Sequence, residues 1–219
     1  MYQLLLALLV TALCVNSLTM YGSHNVNILV LNMSDQEDEG NSNFSGPPKP
    51  SEVAKMARYI MHNSNWSVFA YKSRHPKTSE FPLGTTISVS DGPLGNGKGT
   101  PYMYVSEVEE AVQDTDKDSR CSLTMTLAQG DYCKQKKLDP QFPTCAQVTL
   151  IGRRERVRNG TTEEAFAKKA LFSRHPSMKT WPKDHHFFFT KLNIERVMLV
   201  DTFGGPVFVD VDEYFDVTP

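Results

Sequence analysis

The side chains best suited to chemistry crowd into one stretch, residues 173–189, SRHPSMKTWPKDHHFFF. It holds His175, the His185–His186 pair, Trp181 and an aromatic triplet. Three imidazoles raise the question of a metal. Adjacent residues of an extended chain point to opposite faces, so His185 and His186 are poorly placed to share one ion. No cysteine or carboxylate stands at a recognisable zinc spacing from them, which predicts structural or surface histidines and no metal site. His62, His75 and His175 could each act as a base for a serine with an aspartate behind it. No G-x-S-x-G elbow or comparable signature supports a hydrolase, and the residues alone predict no catalytic set.

Gly92-Pro93-Leu94-Gly95-Asn96-Gly97-Lys98-Gly99 comes close to a phosphate-binding P-loop. That loop needs Ser or Thr where Gly99 stands, and it must run into a helix whose N-terminus holds the phosphate. Here Thr100-Pro101 leads into an extended TyrMetTyrVal run. The stretch therefore predicts a strand-joining loop whose glycines let the backbone approach a ligand or a second subunit closely. Arg153, Arg154, Arg156 and Arg158 invite a phosphate or nucleic-acid reading. The commoner use of such a run is as solvent-facing charge that blunts an edge strand, and that is the expectation here. Phe187-Phe188-Phe189 could line a flavin cleft, but predicts core and subunit interface instead.

The whole chain sets the limits on these readings. It has 219 residues, 40% hydrophobic and 22% charged, as in a folded soluble protein. A formal net charge of −2 gives no reason to expect a nucleic-acid or acidic-membrane partner. The apolar run Leu4 to Val15 falls short of the roughly 20 residues that cross a bilayer. With Val15-Asn16-Ser17 after it, it predicts a signal peptide over residues 1–17, cleaved after Ser17, and no membrane span. Sequons at Asn32, Asn43, Asn65 and Asn159 fit the same secreted compartment. There two of the cysteines that remain after cleavage should pair. Cys133 and Cys145 flank a polar, proline-containing loop and are the predicted disulfide, while Cys121 predicts a small buried hydrophobe.

The elements that must carry these residues follow from periodicity. Residues 18–50 predict a flexible acidic and polar leader, too poor in apolar surface to offset its ordering entropy. The folded domain then runs from residue 51 to 219. Val53, Met56, Ala57 and Ile60 predict a helix with one buried face, capped by Ser51. Strands are predicted over 66–71, 85–90, 102–105, 121–128, 146–153, 187–192, 194–200 and 207–211. Leu123, Met125 and Leu127 alternate with Ser122, Thr124 and Thr126, the period of a half-buried strand. Val197 to Val200 is apolar throughout, which predicts a strand covered on both faces. Ser106 with Glu109, and Thr161 with Glu164, predict capping boxes opening helices. Strands outnumber helices and show no βαβ rhythm. The expected class is α+β and β-rich, a mostly antiparallel barrel with peripheral helices.

Several segments carry a resemblance. SDGPLGNGKGTPYMY, LTMTLAQGDYCKQKKLDPQFPTCAQVTLIG, LFSRHPSMKTWPKDHHFFFTKLNIERVMLVDTFGGP and the closing Asp212-Glu213-Tyr214-Phe215 resemble, in order, the CREG family. These are secreted glycoproteins named as cellular repressors of transcription stimulated by an adenoviral early protein. The resemblance covers about residues 51–217 and implies the FMN-binding split β-barrel shared with pyridoxine-phosphate oxidases. It further implies a homodimer, a degenerate flavin pocket with no bound cofactor, and a non-catalytic role in growth control and differentiation. The implied partner is a mannose-6-phosphate/insulin-like growth factor II type receptor, and the implied location secreted or endosomal–lysosomal. The competing expectation is a flavin-dependent oxidoreductase. It needs cations converging on a phosphate, and Lys98, Arg153 and Lys191 are the candidates.

Overall fold

The computed structural model describes residues 46–219. The predicted signal peptide, its cleavage after Ser17, the leader up to residue 45 and the sequons at Asn32 and Asn43 lie outside the described residues. The first helix, α1 (Val53–Asn63), buries Met56, Ala57, Ile60 and Met61, as its periodicity demands. Its cap position is Glu52 and not Ser51, and Glu52 makes no side-chain cap. The Glu52 carboxylate instead accepts from the Lys49 amide at 3.1 Å, so it closes the turn before the helix.

The strands are β1 (Trp66–Lys72), β2 (Pro82–Ser88), β3 (Tyr102–Ser106), β4 (Arg120–Thr126), β5 (Gln147–Arg156), β6 (Phe187–Val200) and β7 (Pro206–Val209). Every pairing is antiparallel, in the order β2-β1-β4-β5-β6-β3, with β7 also on β6. Ser90, just past β2, bridges Tyr102 of β3 and brings the two ends of the sheet together. The sheet is thus a curled, partly open barrel, the architecture expected from the strand count. Helix α2 (Glu110–Lys117) follows β3, the short α3 (Tyr132–Gln135) sits in the disulfide loop, α4 (Thr162–Arg174) follows β5, and α5 (Val211–Asp216) closes the described chain.

Side-chain period fixes which face is inside. Phe69, Leu123, Leu150, Val197 and Val209 stand opposite one another across five strands. They are at most 7% exposed and join α1 and Tyr214 of α5 in one core. A smaller cluster lies on the outer side, where Tyr102 and Phe189 meet Ala167, Ala170 and Leu171 of α4. Thr161 caps α4 by accepting the Glu164 amide at 3.2 Å, while the Glu164 carboxylate reaches back to the Gly160 amide at 2.7 Å.

Four expectations need correction. The Glu109 carboxylate does accept the Ser106 amide, but the Ser106 hydroxyl accepts the Val108 amide in a turn, and α2 begins at Glu110. The strands expected over 187–192 and 194–200 are one strand, β6. Its register against β5 jumps between Ile151↔Arg196 and Gly152↔Ile194, leaving Glu195 as the extra residue of a bulge. Gly152 is what permits the bulge, because a Cβ there would fall 1.9 Å from the Asn193 carbonyl oxygen. The arginine run is not on an edge: β5 lies between β4 and β6. Finally, Val197 and Leu199 are buried but Met198 and Val200 are only half-buried, so the described chain covers one face of that strand.

Candidate functional site

The uncovered face of the sheet is one candidate surface. Thr86, Val68, Thr124, Thr149, Met198 and Phe208 stand opposite one another in a single row across six strands. Trp66 is 42%, Val68 40% and Phe208 63% exposed. In the middle of the row the Thr124 and Thr149 hydroxyls are hydrogen-bonded at 3.0 Å. Ile151 lies two residues along β5, in the row Ala70–Ser122–Ile151–Arg196, on the wall of a groove of about 670 Å³. Isolated apolar side chains on a surface are ordinary; here Met198 and Phe208 stand together at one end of the row and Val68 near the other, with two threonines between them.

The three candidate cations are not free. Lys191 Nζ lies 2.7 Å from Glu163 Oε1. The Tyr102 hydroxyl donates to that same oxygen at 3.3 Å. Burial, with the Glu163 charge behind it, pushes the Tyr102 phenol up to about 12. Lys98 sits 4.2 Å above the Phe166 ring, one turn further along α4. Lys98 and Lys191 therefore both contact the first turns of α4, each with its own structural partner. Arg153 does not join them and pairs with Glu195 at 2.8 Å. Arg156 pairs with Glu107 at 3.2 Å and covers the Phe188 ring at 3.9 Å.

Arg154 departs furthest from the solvent-facing expectation. It is 7% exposed, and its guanidinium donates to Thr115 Oγ1 at 2.7 Å, to the Val112 carbonyl and to Asp116. Its position on β5 explains this: it follows Val148, Leu150 and Gly152 on the inward-facing side.

A buried polar cluster that the sequence did not announce joins α1 to the glycine-rich loop. His62 Nδ1 donates to Asp91 Oδ1 at 2.8 Å, and His62 Nε2 accepts the Gly95 amide at 3.0 Å. Those two bonds set the tautomer, with the proton on Nδ1. Asp91 Oδ2 accepts the Gly99 amide at 2.9 Å. Arg58 donates to the Tyr214 carbonyl at 3.1 Å and the Gly97 carbonyl at 3.2 Å. A Cβ at Gly97 would fall 2.2 Å from His62 Nδ1. The loop glycines thus admit the protein's own histidine and not a ligand. Both imidazole nitrogens are occupied, and the Ser90 hydroxyl donates to the Ala170 carbonyl at 2.8 Å, so no Ser-His relay forms. The sequence signal was the polar i, i+4 pair Arg58/His62 on a helix whose neighbouring positions are apolar.

The remaining histidines are separate. His175 Nε2 donates to the Val89 carbonyl at 3.1 Å, and burial lowers its pKa below the ordinary histidine value. His75 accepts the Lys77 amide at its own turn, and His185 and His186 are exposed. Among the described residues there is no group of three metal-ligating side chains. Phe188 faces the barrel core, while Phe187 and Phe189 face outward against Tyr104.

Cys133 and Cys145 are joined by a disulfide with a Cα–Cα distance of 5.7 Å, and both are buried in the main core. Cys121 is free and buried, with its thiol pushed up to about 12 by burial. Asn159 is exposed in the turn before α4. Asn65 is exposed too, but its Oδ1 accepts two bonds from Arg174, at 2.7 and 3.1 Å. The sequon's Ser67 is fully buried and donates to the Thr124 carbonyl at 3.1 Å. A glycan at Asn65 would therefore have to be added before β1 folds.

An all-antiparallel, partly open barrel closed by the Ser90–Tyr102 bridge and flanked by helices is a split β-barrel, the fold of flavin-binding proteins of the pyridoxine-phosphate-oxidase type. Residues 48–216 match the family model described as CREG, beta-barrel, and the chain belongs to the CREG family. It is 43% identical over 174 residues to Protein CREG1 of Gallus gallus, covering 78% of this chain and 90% of that one. Protein CREG1 of Homo sapiens is 42% identical over 174 residues, covering 78% of each. Protein CREG2 of Homo sapiens is 38% identical over 181 residues, covering 83% of this chain and 62% of that one.

Among solved structures, a heme binding protein from Mycobacterium smegmatis superposes with a TM-score of 0.61 at 20% identity, over 80% of this chain and 63% of that one. A Clostridium acetobutylicum protein of the pyridoxinephosphate oxidase family superposes with a TM-score of 0.51 at 10% identity, over 74% of this chain and 96% of that one. At these identities the likeness speaks for the fold alone. The CREG relatives are named as proteins and not as enzymes.

Proposed function

We propose that this protein acts by binding and not by catalysis, as a homodimeric glycoprotein that is secreted or reaches the endosome–lysosome route. The observation that carries the reading is the uncovered row on the sheet. Met198 and Val200 belong to an apolar strand, yet the described chain leaves their side half open, with the exposed Phe208 opposite Met198 and the exposed Val68 further along the same row. A second copy laid on that face would bury it. The occupied state of Lys98, Lys191, Arg153 and His62 supports a non-catalytic role, since each is engaged in holding the fold. The signal peptide over 1–17 and glycans at Asn32, Asn43, Asn65 and Asn159 belong to the same reading. So do receptor engagement of the mannose-6-phosphate/insulin-like growth factor II type, growth control and an empty, degenerate flavin pocket. The test is sedimentation equilibrium of the secreted chain with and without Val68→Glu/Phe208→Glu. The parent chain should be a dimer and the double variant a monomer with unchanged circular dichroism. A monomeric parent chain would overturn the dimer reading.

One observation favours the competing flavin-dependent oxidoreductase. Lys98 and Lys191 each contact a side chain of the first turns of a helix, where a phosphate would be welcome. A flavin absorption band in the purified protein, or saturable flavin mononucleotide binding lost in Lys98→Ala/Lys191→Ala, would reverse the preference.

A further inference from the structure

A small cleft of about 140 Å³ lies between α1 and the turn that leads from β4 into α3. Buried Ile60 and Leu127 give it an apolar wall, and half-buried Tyr59 and Tyr132 line it from the two sides. Most of its polar side chains already hold the fold. Gln129 accepts the Thr126 amide at 2.8 Å and donates to the Trp66 carbonyl at 2.7 Å. The Ser64 hydroxyl donates to the Ile60 carbonyl at 2.7 Å, and the Thr126 hydroxyl accepts the Ala128 amide at 3.2 Å. By contrast, the Tyr59 and Tyr132 hydroxyls and the Asp131 carboxylate make no side-chain hydrogen bond and no ion pair among the described residues. Among those residues Asp131 is the only charged one that lines the cleft, and it is exposed.

We propose that this cleft binds a primary alkylammonium group on a short unbranched stem, either a free amine or the side chain of a lysine. An ammonium carries three donors and no acceptor. The two phenol oxygens and the Asp131 carboxylate are matching acceptors. Burial raises the Tyr59 phenol above its ordinary value, with Tyr132 adding to it, so that oxygen stays neutral beside the carboxylate. The apolar wall suits the stem, which an inorganic cation lacks. No Lys, Arg or His lines the cleft, so an anion would meet only the charge of Asp131. At roughly 30 Å³ for each water-sized group, the cleft holds about five non-hydrogen atoms, well below a drug-sized ligand. n-Butylammonium is that size.

Amide NMR of the labelled chain at fixed ionic strength reads the binding directly. n-Butylammonium should shift the Gly130, Asp131 and Tyr132 amides saturably, with a dissociation constant of about millimolar, as so small a group allows. n-Butanol, the same stem without the charge, and butyrate, with the opposite charge, should each bind at least about tenfold more weakly. Asp131→Asn should weaken the amine by about fivefold, between an exposed ion pair and a buried charged bond. Tyr132→Phe should weaken it by about threefold, the scale of one hydrogen bond. The first variant keeps the shape and the second the ring, so both chains should retain the rest of the parent spectrum. Nα-acetyl-lysine N-methylamide binding as tightly as n-butylammonium assigns the cleft to a lysine side chain. Binding at least about tenfold weaker assigns it to a free amine. No saturable shift, equal binding of n-butanol or butyrate, or an Asp131→Asn chain that binds as the parent does would overturn the proposal. So would equal shifts beside exposed carboxylates elsewhere, such as Glu213, which would mean counter-ion association only.

Discussion

Phe69, Leu123, Leu150, Val197 and Val209 cross five strands on the inside of the barrel; Val68, Thr124, Thr149, Met198 and Phe208 cross the same strands on the outside. The rows are one residue apart on every strand, within the same antiparallel ladders. What differs is what covers them. The inner row is uniformly large and apolar and meets α1 and α5. The outer row has two half-buried threonines between hydrophobes, of which Val68 and Phe208 are exposed. A strand built this way folds on its inner row alone, and its outer row is free to be spent on a partner.

Breaking the inner row should cost most. Leu150 is fully buried at the centre of the sheet, so Leu150→Ala should destabilise by about 3–5 kcal/mol through lost transfer energy and a residual cavity. Thr149→Ala, the adjacent outer position, should cost under about 1 kcal/mol. Equilibrium denaturation of both at low protein concentration makes the comparison. Equal losses would mean that the two faces are not different in kind.

A pair of neighbouring arginines repeats the contrast at the end of β5. Arg154→Ala removes an inward guanidinium bonded to Thr115 and Val112 and should cost about 2–3 kcal/mol. Arg153→Ala removes an exposed pair with Glu195 and should cost no more than about 1 kcal/mol. Salt should erase the smaller loss and leave the larger one, because only the exposed pair is well screened.

These two arginines also show what a sequence makes legible. CSLTMTLA announces its strand through its period, and Leu123 and Met125 are inside as that period requires. Thr161 to Glu164 announces the start of α4. The run Arg153 to Arg158 looks like surface charge, because composition cannot show that β5 continues into it as far as Arg156, with Arg154 in inward phase. The bulge at Glu195 was illegible for a related reason. It depends on Gly152 of another strand yielding room, and it resets the phase of β6, so that one strand reads as two. Helix α5 has six residues and rests on Asp210, which accepts the Asp212 and Glu213 amides, and on Arg58 far away in sequence. The His62–Asp91 pair likewise joins residues whose proximity only the fold creates. Family motifs supplied the barrel; they did not supply these contacts.

Acid should act at the seams between elements and not on the apolar inner row, which holds no titratable group. His175 joins the end of α4 to Val89, and burial lowers its pKa below the ordinary 6.5. A histidine depressed in the folded state is protonated first in the unfolded chain. Its effect is therefore absent well above 6.5, and stability falls as pH drops through 6.5 until the folded-state value is passed. The group is half-buried, so solvent screens part of the effect. His175→Gln should flatten the fall in melting temperature between pH 7 and 5 relative to the parent chain. Parallel curves for the two would place the acid sensitivity elsewhere.

The smallest effect expected is on the outer row itself. Phe208 is 63% exposed, so within one chain Phe208→Ser should shift unfolding by no more than about 0.5 kcal/mol. A dimer seated on this face changes that result through mass action, because association stabilises the folded state in proportion to the logarithm of concentration. The parent chain should then melt higher as its concentration rises from nanomolar to micromolar. Phe208→Ser should melt at a temperature that depends less on concentration and match the parent only when both are dilute. A concentration-independent parent would remove the reason for the exposed band, and the outer row would be only the solvated back of the inner one.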